Sequence, residues 1–493
     1  MQDPAGRFAA EFVASREDGF ADLLGALFES SAAVNDPGLP IRVGARLRDD
    51  ESYELADRLF SQLVDVPALR ADALWELGYS RIRQGKLGDA LRPLSEWDAE
   101  SGLPTWRRIH LATLHARLGD LAKAHDILNE ISLVEPGIKS ECMAEAQLYK
   151  MLRRFPRAEA DRMLSELQSR FAPSSAQLVE EDVLGHLRGR TPYLMLRMGD
   201  GEGACIKLNL DDEQEFALLY RQNRRDFTQI WFGDREIVGD SAFEAALDEF
   251  NGLIQVADCF GAFSAAAVEF AYRTGSGRDV AWVVNTMRKV LEAADRDPGW
   301  ASRTRVDTLS VHYDLLTSGA LERILAAAPR VGLVSCHADL PAALMGRFGL
   351  GEVEFHKVPG EKAHSSVLGD AAVEGRHWPT RFSELSAIFD RGDRHGQLFL
   401  VAAGFLGKIY AAKLKKSGAV VLDIGAVADL LMGKETRTFP EAVRPHVLVG
   451  AGENGPPASQ TELFNAAPGS EPRHGWVRRI GAALLRTSKG AVR

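Results

Sequence analysis

The sequence predicts an α + α/β protein, in which an N-terminal solenoid of α-helical repeats is followed by an α/β domain. Helical segments containing a small residue recur at a fixed interval in the first third of the chain. Short apolar runs alternate with helical patterns from about residue 180 onward, as strands and crossover helices do. A segment containing Pro and Ser separates the two regions, and these residues are typical of loops. Together the three observations predict two folded parts of different architecture.

The length and composition are those of a globular protein with more than one core. At 493 residues the chain exceeds the usual size of one domain, so two or three folded units are expected. Hydrophobic residues make up 45% and charged residues 26%, which argues against a disordered or fibrous protein. The formal net charge of -10 argues against a protein that neutralises a phosphate backbone, so nucleic acid is not an expected partner.

The cysteine spacing and the lack of long apolar segments indicate in which cellular compartment the protein is expected. Cys142, Cys205, Cys259 and Cys336 stand far apart without a CxxC pair, which argues against a cysteine zinc site and against a disulfide framework. The first residues lack the basic and apolar regions of a signal peptide, and apolar runs of membrane-spanning length are absent from the sequence. We therefore expect a soluble, cytoplasmic protein with reduced thiols.

The repeats begin after an N-terminal helical segment, residues 1–50, and extend over 51–170. The segments GKLGDA, ending at Ala90, and GDLAKA, ending at Ala124, are offset by one tetratricopeptide period. The same step reaches Ala56 in one direction and Ala158 in the other. Alanine is expected here because two helices of a hairpin cross closely. A solenoid of such hairpins presents a concave face that binds a protein partner or packs on a neighbouring domain, and the sequence leaves both roles open.

The segment Phe171–Glu181 is interpreted as the boundary, and the α/β domain is placed at residues 180–440. Strands are predicted in the following runs: TPYLMLRM, QIWFG near Trp231, VAWVVN near Val283, RVGLVSC, VEFHKV, QLFLVAAG and AVVLDIG. Ligands in such folds bind at the carboxyl ends of the strands, so the loops after these runs are the expected site.

The first of these loops reads RMGDGE. Asp200 and Glu202, separated by Gly201, face the same way if the segment is extended, and Gly199 and Gly201 let the backbone approach a ligand. Carboxylates of this kind suit Mn²⁺ or Mg²⁺ carrying a diphosphate. An ordinary solvated turn has the same composition, and spacing alone favours that reading.

A second informative stretch runs from Gln397 to Gly425. It reads as strand, glycine turn, helix and strand, with Gly404 and Gly407 opening the helix and Asp423 ending the second strand. The amides at a helix N-terminus favour phosphate, which predicts half of a nucleotide-binding unit. Ala402 replaces the first glycine of the dinucleotide fingerprint, so an ordinary strand–helix–strand unit is an equal alternative.

With both motifs present, residues 180–437 resemble the GT-D-fold glycosyltransferases, bacterial enzymes first known as a family of unknown function. Their R-x-G-D-G-E signature is matched at 197–202, and their strand ending in L-D-I-G is matched at 422–425. The resemblance implies a Rossmann-like GT-D-type domain that transfers a hexose from a nucleotide sugar with a divalent metal. The chain departs from the family where Ala426 follows the L-D-I-G sequence, which many relatives continue with His.

The resemblance assigns roles to the motif residues. Asp200, Glu202 and Arg197 are the expected catalytic residues, with Asp200 and Glu202 holding Mn²⁺ or Mg²⁺. The donor, expected to be a UDP-sugar, would contact a set of loop and helix residues: Gly199, Gly201, Gly404, Gly407, Lys408 and Asp423. An exposed helical position is the commoner explanation for Lys408. The acceptor is expected to be a protein glycan or a cell-envelope polysaccharide.

Three polar residues between the motifs are candidates for substrate contacts or for the base that deprotonates the acceptor. Glu361, Lys362 and His364 follow a predicted strand in VPGEKAHSS. A surface loop with a hydrogen-bonded histidine is the plainer interpretation.

Two other functional classes compete with the transferase. A nucleotide-cofactor oxidoreductase would use the Gly404 turn, and a non-catalytic scaffold would act through the repeats alone.

The C-terminal region is predicted to leave the fold. Residues 441–475 are rich in Gly, Pro, Ser and Asn and are expected to be a flexible linker. Residues 476–493 combine apolar residues at helical spacing with five basic residues, which predicts an amphipathic helix on the inner face of the membrane. An unstructured basic tail fits equally well.

Overall fold

The computed structural model describes residues 4–15, 19–98, 105–273, 277–436 and 441–448. The chain divides into two compact units, one ending at Lys150 and the other running from Met151 to Tyr272 and on from Arg278. In the residues that the structure describes, the first unit consists of helices without a strand, whereas the second contains an eight-stranded parallel sheet among helices. The predicted combination of an α part and an α/β part is therefore confirmed.

The first unit is a succession of helices. Its elements are α1 (Pro4–Ala14), α2 (Phe20–Ala33), α3 (Leu39–Asp49), α4 (Tyr53–Leu63), α5 (Arg70–Arg83), α6 (Leu87–Asp98), α7 (Thr105–Arg117), α8 (Leu121–Val134) and α9 (Lys139–Arg154), with a 3₁₀ turn at Pro136–Ile138.

The alanine register is kept in three helices. Ala56, Ala90 and Ala124 are each the fourth residue of their helix, and all three are fully buried. The fourth predicted position is wrong, because Ala158 is exposed. Ala160, the fourth residue of the helix Arg157–Arg170, is buried instead, so this last step is slightly longer than the others.

A close approach between paired helices recurs at the same interval as the alanines. A side chain at Gly44 of α3 would meet the ring of Phe60 in α4 at 2.4 Å, and one at Gly78 of α5 would meet Leu94 in α6 at 2.4 Å. Both members of the second pair follow those of the first by the step that separates Ala56 from Ala90. These hairpins therefore require a position without a side chain, because a larger residue would separate the helices.

The second unit contributes the remaining elements. Its helices are α10 (Arg157–Arg170), α11 (Ala176–Gly189), α12 (Asp200–Gly203), α13 (Leu210–Glu215), α14 (Ala217–Phe232), α15 (Ser241–Gly252), α16 (Ala265–Arg273), α17 (Gly277–Arg296), α18 (Pro298–Arg303), α19 (Val311–Thr317), α20 (Ala320–Ala327), α21 (Leu340–Phe348), α22 (Ser365–Leu368), α23 (Asp370–Val373), α24 (Phe382–Phe389), α25 (Gly404–Lys416) and α26 (Val427–Leu431). Its strands are β1 (Ala172–Pro173), β2 (Tyr193–Arg197), β3 (Cys259–Ala262), β4 (Arg305–Thr308), β5 (Val331–Ser335), β6 (Val353–Lys357), β7 (Leu398–Val401) and β8 (Val420–Asp423). Short turns of 3₁₀ type lie at Leu253–Val256, Lys362–His364 and Glu441–His446, and a wide turn lies at His377–Arg381.

The strand order in the sheet is β1-β4-β3-β2-β8-β7-β5-β6, and every pairing is parallel. Apart from Arg197 at the end of β2, the central strands β2, β5, β7 and β8 are buried throughout, as parallel strands covered on both faces are. The chain leaves β5 toward β6 on one side and β7 toward β8 on the other. The carboxyl ends of β5 and β7 therefore mark a topological switch point, the usual place for a ligand in such sheets.

Five of the predicted strand runs form strands, and two are wrong. QIWFG belongs to the end of α14, where Gly233 at φ +73° caps the helix, and VAWVVN lies within α17. The residues from Val280 to Met287 are all buried, so this part of α17 is largely apolar without helical periodicity and resembles a buried strand in the sequence. β1, β3 and β4 are missing from the prediction. β1 has only two residues, CFGA is short and RVDT is largely polar.

The segment interpreted as a boundary lies within the second unit. Phe171–Glu181 contains β1 and the start of α11, whose first turn is capped by the Ser175 hydroxyl. At the other end Val443 is buried in the sheet core, so the fold extends into the predicted linker. The rest of that linker from residue 449 and the predicted tail at 476–493 lie outside the described residues. Within the described part of the chain, every helix is too short or too polar to cross a bilayer.

Candidate active site

The site lies where β2 and β8 end side by side. These strands pair in parallel, with Met195 opposite Leu422. Their last residues, Arg197 and Asp423, therefore meet at the carboxyl edge of the sheet. The backbone N–H of Arg197 donates to Asp423 Oδ2 at 3.1 Å, which ties the start of the RMGDGE loop to the end of β8.

The loop after β2 is a turn of helix and not an extended segment. Asp200–Gly203 form α12, and the N–H of Gly199 donates to Glu202 Oε2 at 3.1 Å. A side chain at Gly203 would lie 2.6 Å from the Trp282 carbonyl oxygen, so this turn packs tightly on α17. The Glu202 side chain is only 14% exposed, which excludes the solvated-turn interpretation for this residue. The side chain of Asp200 is not among those that the structure describes.

Lys408 connects the two acidic groups of the site. Its Nζ donates to Asp423 Oδ2 and lies 3.5 Å from Glu202 Oε1. Lys408 and Asp423 are each 4% exposed, so the expectation of an exposed helical lysine is wrong. The ammonium group of Lys408 therefore links Glu202 of the RMGDGE loop to Asp423 at the end of β8.

The guanidinium group of Arg197 also contacts protein groups. Nε donates to the Asp423 carbonyl oxygen at 3.2 Å, Nη1 donates to the Leu309 carbonyl oxygen at 3.3 Å, and Nη1 lies 3.0 Å from His312 Nε2. A side chain at Gly425 would lie 2.0 Å from Nη2, which explains the glycine of L-D-I-G. The guanidinium group therefore joins the loops after β2, β4 and β8.

The charge state of Asp423 follows from these contacts. Burial by itself would raise the pKa of this carboxyl group, but the positive charges of Lys408 and Arg197 and their hydrogen bonds outweigh burial. The pKa of Asp423 lies below its ordinary value of 3.8. Asp423 is therefore ionised at neutral pH, and its carboxylate oxygens contact protein groups.

The glycine turn after β7 opens α25 beside the same strands. Gly404 has φ +55°, and a Cβ atom there would lie 1.7 Å from Cη2 of Trp231. Gly407 packs against Val401 and Ala403, where a Cβ atom would have contacts of 3.2 and 3.0 Å. Both glycines therefore serve close packing, and they leave the first amides of a 13-residue helix at the carboxyl edge.

The three candidate base residues form a turn of their own after β6. Glu361 is buried, and His364 Nε2 lies 3.5 Å from Glu361 Oε1. Lys362 donates to the Val373 carbonyl oxygen and lies close to Gly233 at the end of α14. The plainer interpretation as an ordinary surface loop is wrong for Glu361, since this side chain is buried.

A polar cluster after β5 was missing from the sequence prediction. His337 Nε2 lies 2.7 Å from Asp429 Oδ1, and the Thr436 hydroxyl donates to Asp429 Oδ2 at 2.7 Å. The signal available in the sequence was the Ser-Cys-His that directly follows a predicted strand. His312, which contacts Arg197, carries a weaker signal because it follows the polar strand β4.

Comparison with known proteins adds no relative. Protein-family models, curated proteins and solved structures all give no match to this chain. Inference about function therefore rests on the sequence motifs and on the geometry of the site.

Proposed function

We propose that the second unit is a GT-D-type, metal-dependent glycosyltransferase that moves a hexose from a nucleotide sugar to a protein glycan or a cell-envelope polysaccharide. One observation carries the proposal. Glu202 of the RMGDGE sequence is held by Lys408, and Lys408 is held by Asp423, the aspartate of L-D-I-G. The two motifs that suggest a nucleotide-sugar enzyme thus meet in one buried ion cluster at the carboxyl edge of a parallel sheet.

The charges of this cluster fit a divalent cation that also binds a diphosphate. Glu202 and Asp423 balance Lys408 and Arg197. The sequence supplies a further carboxylate, Asp200, two residues before Glu202. Asp200 and Glu202 would hold Mn²⁺ or Mg²⁺, since these ions use one or two carboxylates and complete their shell with water and phosphate. The bound ion would supply Lewis-acid stabilisation of the leaving diphosphate.

The protein groups have separate tasks in the proposed transfer. The bond between C1 of the sugar and the phosphate oxygen breaks, and its electron pair leaves with the nucleoside diphosphate. An acceptor hydroxyl oxygen bonds to C1 and gives its proton to a base or to water. The amides that open α25 are oriented to bind phosphate oxygens. Lys408 and Arg197 fix the loops, which reduces the reorganisation needed when charge develops.

The position of Asp423 argues against the oxidoreductase alternative. In a dinucleotide-binding fold the acidic residue that ends the second strand accepts hydrogen bonds from ribose hydroxyls. Asp423 is 4% exposed, and its oxygens accept from Lys408 and from the Arg197 backbone. This carboxylate is therefore occupied by protein donors.

For the first unit, we propose a tetratricopeptide-like solenoid whose concave face binds a protein partner or the acceptor. Support comes from the buried alanines at 56, 90 and 124 and from the tight helix pairs repeated at the same interval. The proposed setting is the cytoplasm, with the tail at 476–493, outside the described residues, on the inner face of the membrane.

The donor proposal is tested by calorimetric titration of the full chain with UDP-, GDP- and CMP-sugars, in Mn²⁺ and again in EDTA. We expect one donor, of the UDP class, to bind only with metal, and Glu202→Gln to lose that binding. Glu384→Gln is the matched control, because this exposed carboxylate lies on α24. Binding of NAD that is indifferent to EDTA would support the oxidoreductase, and the absence of binding by every nucleotide would support the scaffold.

A further inference from the structure

A mixed group of metal-binding side chains follows β5. Cys336 and His337 are the first two residues after this strand, and Asp429 lies on α26, after β8. One donor atom from each residue, a sulfur, an imidazole nitrogen and a carboxylate oxygen, lies within 4.8 Å of the other two. Among the described residues this is the one group of at least three such side chains that could hold an ion.

The chemistry of this set differs from that of the RMGDGE loop. Mn²⁺ and Mg²⁺ prefer oxygen ligands, whereas a thiolate combined with an imidazole and a carboxylate suits Zn²⁺. We propose that Cys336, His337 and Asp429 form a Zn²⁺ site with three protein ligands. Binding replaces the hydrogen bond between His337 Nε2 and Asp429 with bonds to the ion. The imidazole ligates in its neutral form, with its one proton on the nitrogen that does not bind the ion, and the thiol proton of Cys336 passes to solvent.

Neighbouring groups orient the ligands. The Thr436 hydroxyl donates to Asp429 Oδ2, which leaves Oδ1 toward His337. The backbone N–H of His337 donates to the Ser335 hydroxyl at 3.2 Å, which holds the strand end in place. Hydrogen bonds that fix a metal ligand in this way are a regular part of metal sites.

Burial and packing explain how the sulfur is held and where the site opens. The Cys336 side chain packs with Leu368, Ala372 and Val373, and a Cβ atom at Gly360 would lie 3.2 Å from its Sγ. His337 is 5% exposed, whereas the Asp429 side chain is 20% exposed. Solvent therefore reaches the cluster from the carboxylate side, where the fourth position of a tetrahedral ion would accept water or an anionic ligand.

An ion at this site would have a structural role because its ligands follow two different strands. β7 lies between β5 and β8, so Cys336 and His337 belong to a different strand end from Asp429. An ion bound here would join the loops of two non-adjacent strands across the switch point. The site is separate in ligands and in metal preference from the proposed Mn²⁺ or Mg²⁺ site.

The test is metal titration of the full chain after removal of bound metal with a chelator. Zn²⁺ affinity is measured against a chromophoric chelator, and Co²⁺ is used as a spectroscopic substitute. We expect one ion per chain to bind with a near-ultraviolet thiolate-to-Co²⁺ charge-transfer band. Cys336→Ser removes the band, and Thr436→Val, which disturbs only a ligand's partner, weakens Zn²⁺ binding about tenfold.

The control is Cys259→Ser, a substitution of another buried cysteine of the same sheet, which is expected to keep the band and the affinity. The proposal is overturned if the natural chain binds no Zn²⁺, or if its Co²⁺ form lacks the thiolate band. Because Zn²⁺ binding and the thiolate band are both measured on the natural chain, the proposal can be overturned even if a variant fails to fold. A band that persists in Cys336→Ser would assign the metal to another cysteine and would also contradict the proposal.

Discussion

At the scale of single residues, Lys408 is the group on which the geometry of the site depends most. Its ammonium group contacts Asp423 and lies 3.5 Å from Glu202, and it is almost fully buried. Removing one partner of a buried ion pair leaves an uncompensated charge, which costs about 3–5 kcal/mol. Stability and the position of Glu202 are therefore coupled through one side chain.

The first prediction concerns acid stability. Because the folded-state pKa of Asp423 is lowered, its ionisation stabilises the fold above its unfolded value, ordinarily 3.8, and this contribution is lost as the pH falls through the lower folded value. We expect the free energy of unfolding to fall more steeply below about pH 4 in the natural chain than in Asp423→Asn. Denaturant titrations at a series of pH values measure this slope. Glu384→Gln should keep the natural slope, and an equal slope in Asp423→Asn would count against the ionised cluster.

The second prediction concerns the turn after β7. Gly404→Ala places a Cβ atom 1.7 Å from the Trp231 ring at a position with φ +55°. We expect a loss of roughly 2–4 kcal/mol in the free energy of unfolding, combining steric overlap and backbone strain. The matched control is Gly346→Ala in α21, where a Cβ atom meets nothing within 4 Å and should stabilise the helix by about 0.5–1 kcal/mol. Equal effects of the two substitutions in urea denaturation would refute the packing argument.

At the scale of elements, the turns between paired helices repeat at the same interval as the buried alanines. Gly85 at φ +74° and Gly119 at φ +89° end their helices in the left-handed region. The equivalent position one repeat before Gly85 holds Glu51, at φ +62°, where an L side chain is strained. The repeat thus predicts that glycine at position 51, where the turn glycine of the other hairpins is absent, stabilises the fold.

The third prediction is that Glu51→Gly stabilises the chain by about 0.5–1 kcal/mol, because glycine adopts positive φ without strain. Gly119→Ala is its counterpart, since a Cβ atom there meets nothing within 4 Å and only the backbone conformation is affected. We expect a loss of about 1 kcal/mol for that substitution. The two midpoints of thermal unfolding should move in opposite directions, and shifts of the same sign would contradict the common turn geometry.

The sequence predicts elements well where the pattern has one interpretation. The apolar runs at β2, β5, β7 and β8 are short, flanked by turns and fully buried, and all were predicted. The run in α17 was misassigned because a helix buried on most sides loses its periodicity. The prediction at Ala158 is wrong because a second alanine, Ala160, lies close by, and only the start of α10 decides which of the two is buried.

The sequence predicts the individual residues of the site but not that their side chains contact one another. The motifs singled out Glu202, Lys408 and Asp423 separately. Their meeting requires β2 to pair with β8, the first long strand of the sheet with the last, and strand order cannot be read from apolar patterns. The same reason hid the contact of His337 with Asp429, since it joins the ends of β5 and β8. The contacts of Lys408 and Arg197 with protein groups depend on the same strand order.

At the scale of the whole molecule, the division into two compact units has a thermodynamic consequence. Each unit has a buried core of its own, with Leu59 and Phe60 in one and Leu400 and Leu422 in the other. Chains with more than one core commonly depart from two-state unfolding. Stability should therefore be measured for each unit and not only for the whole chain.

The fourth prediction is two calorimetric transitions. Leu59→Ala should lower the temperature of one transition and Leu422→Ala that of the other. Each substitution should reduce the free energy of unfolding of its unit by about 2–5 kcal/mol, since both side chains are fully buried. Addition of Mn²⁺ with a bound donor should raise only the transition that Leu422→Ala lowers. A single transition that both substitutions shift alike would contradict independent units.

The most direct test of the proposed function is the rate at which a bound nucleotide sugar releases its nucleoside diphosphate in Mn²⁺, in the natural chain, Glu202→Gln and Glu384→Gln. Loss of metal-assisted stabilisation is worth several kcal/mol, so we expect Glu202→Gln to slow release by about 100-fold or more. Glu384→Gln should match the natural chain, and EDTA should abolish release in all three proteins. Release that persists in EDTA, or that is unchanged in Glu202→Gln, would contradict a metal-dependent transferase centred on this carboxylate.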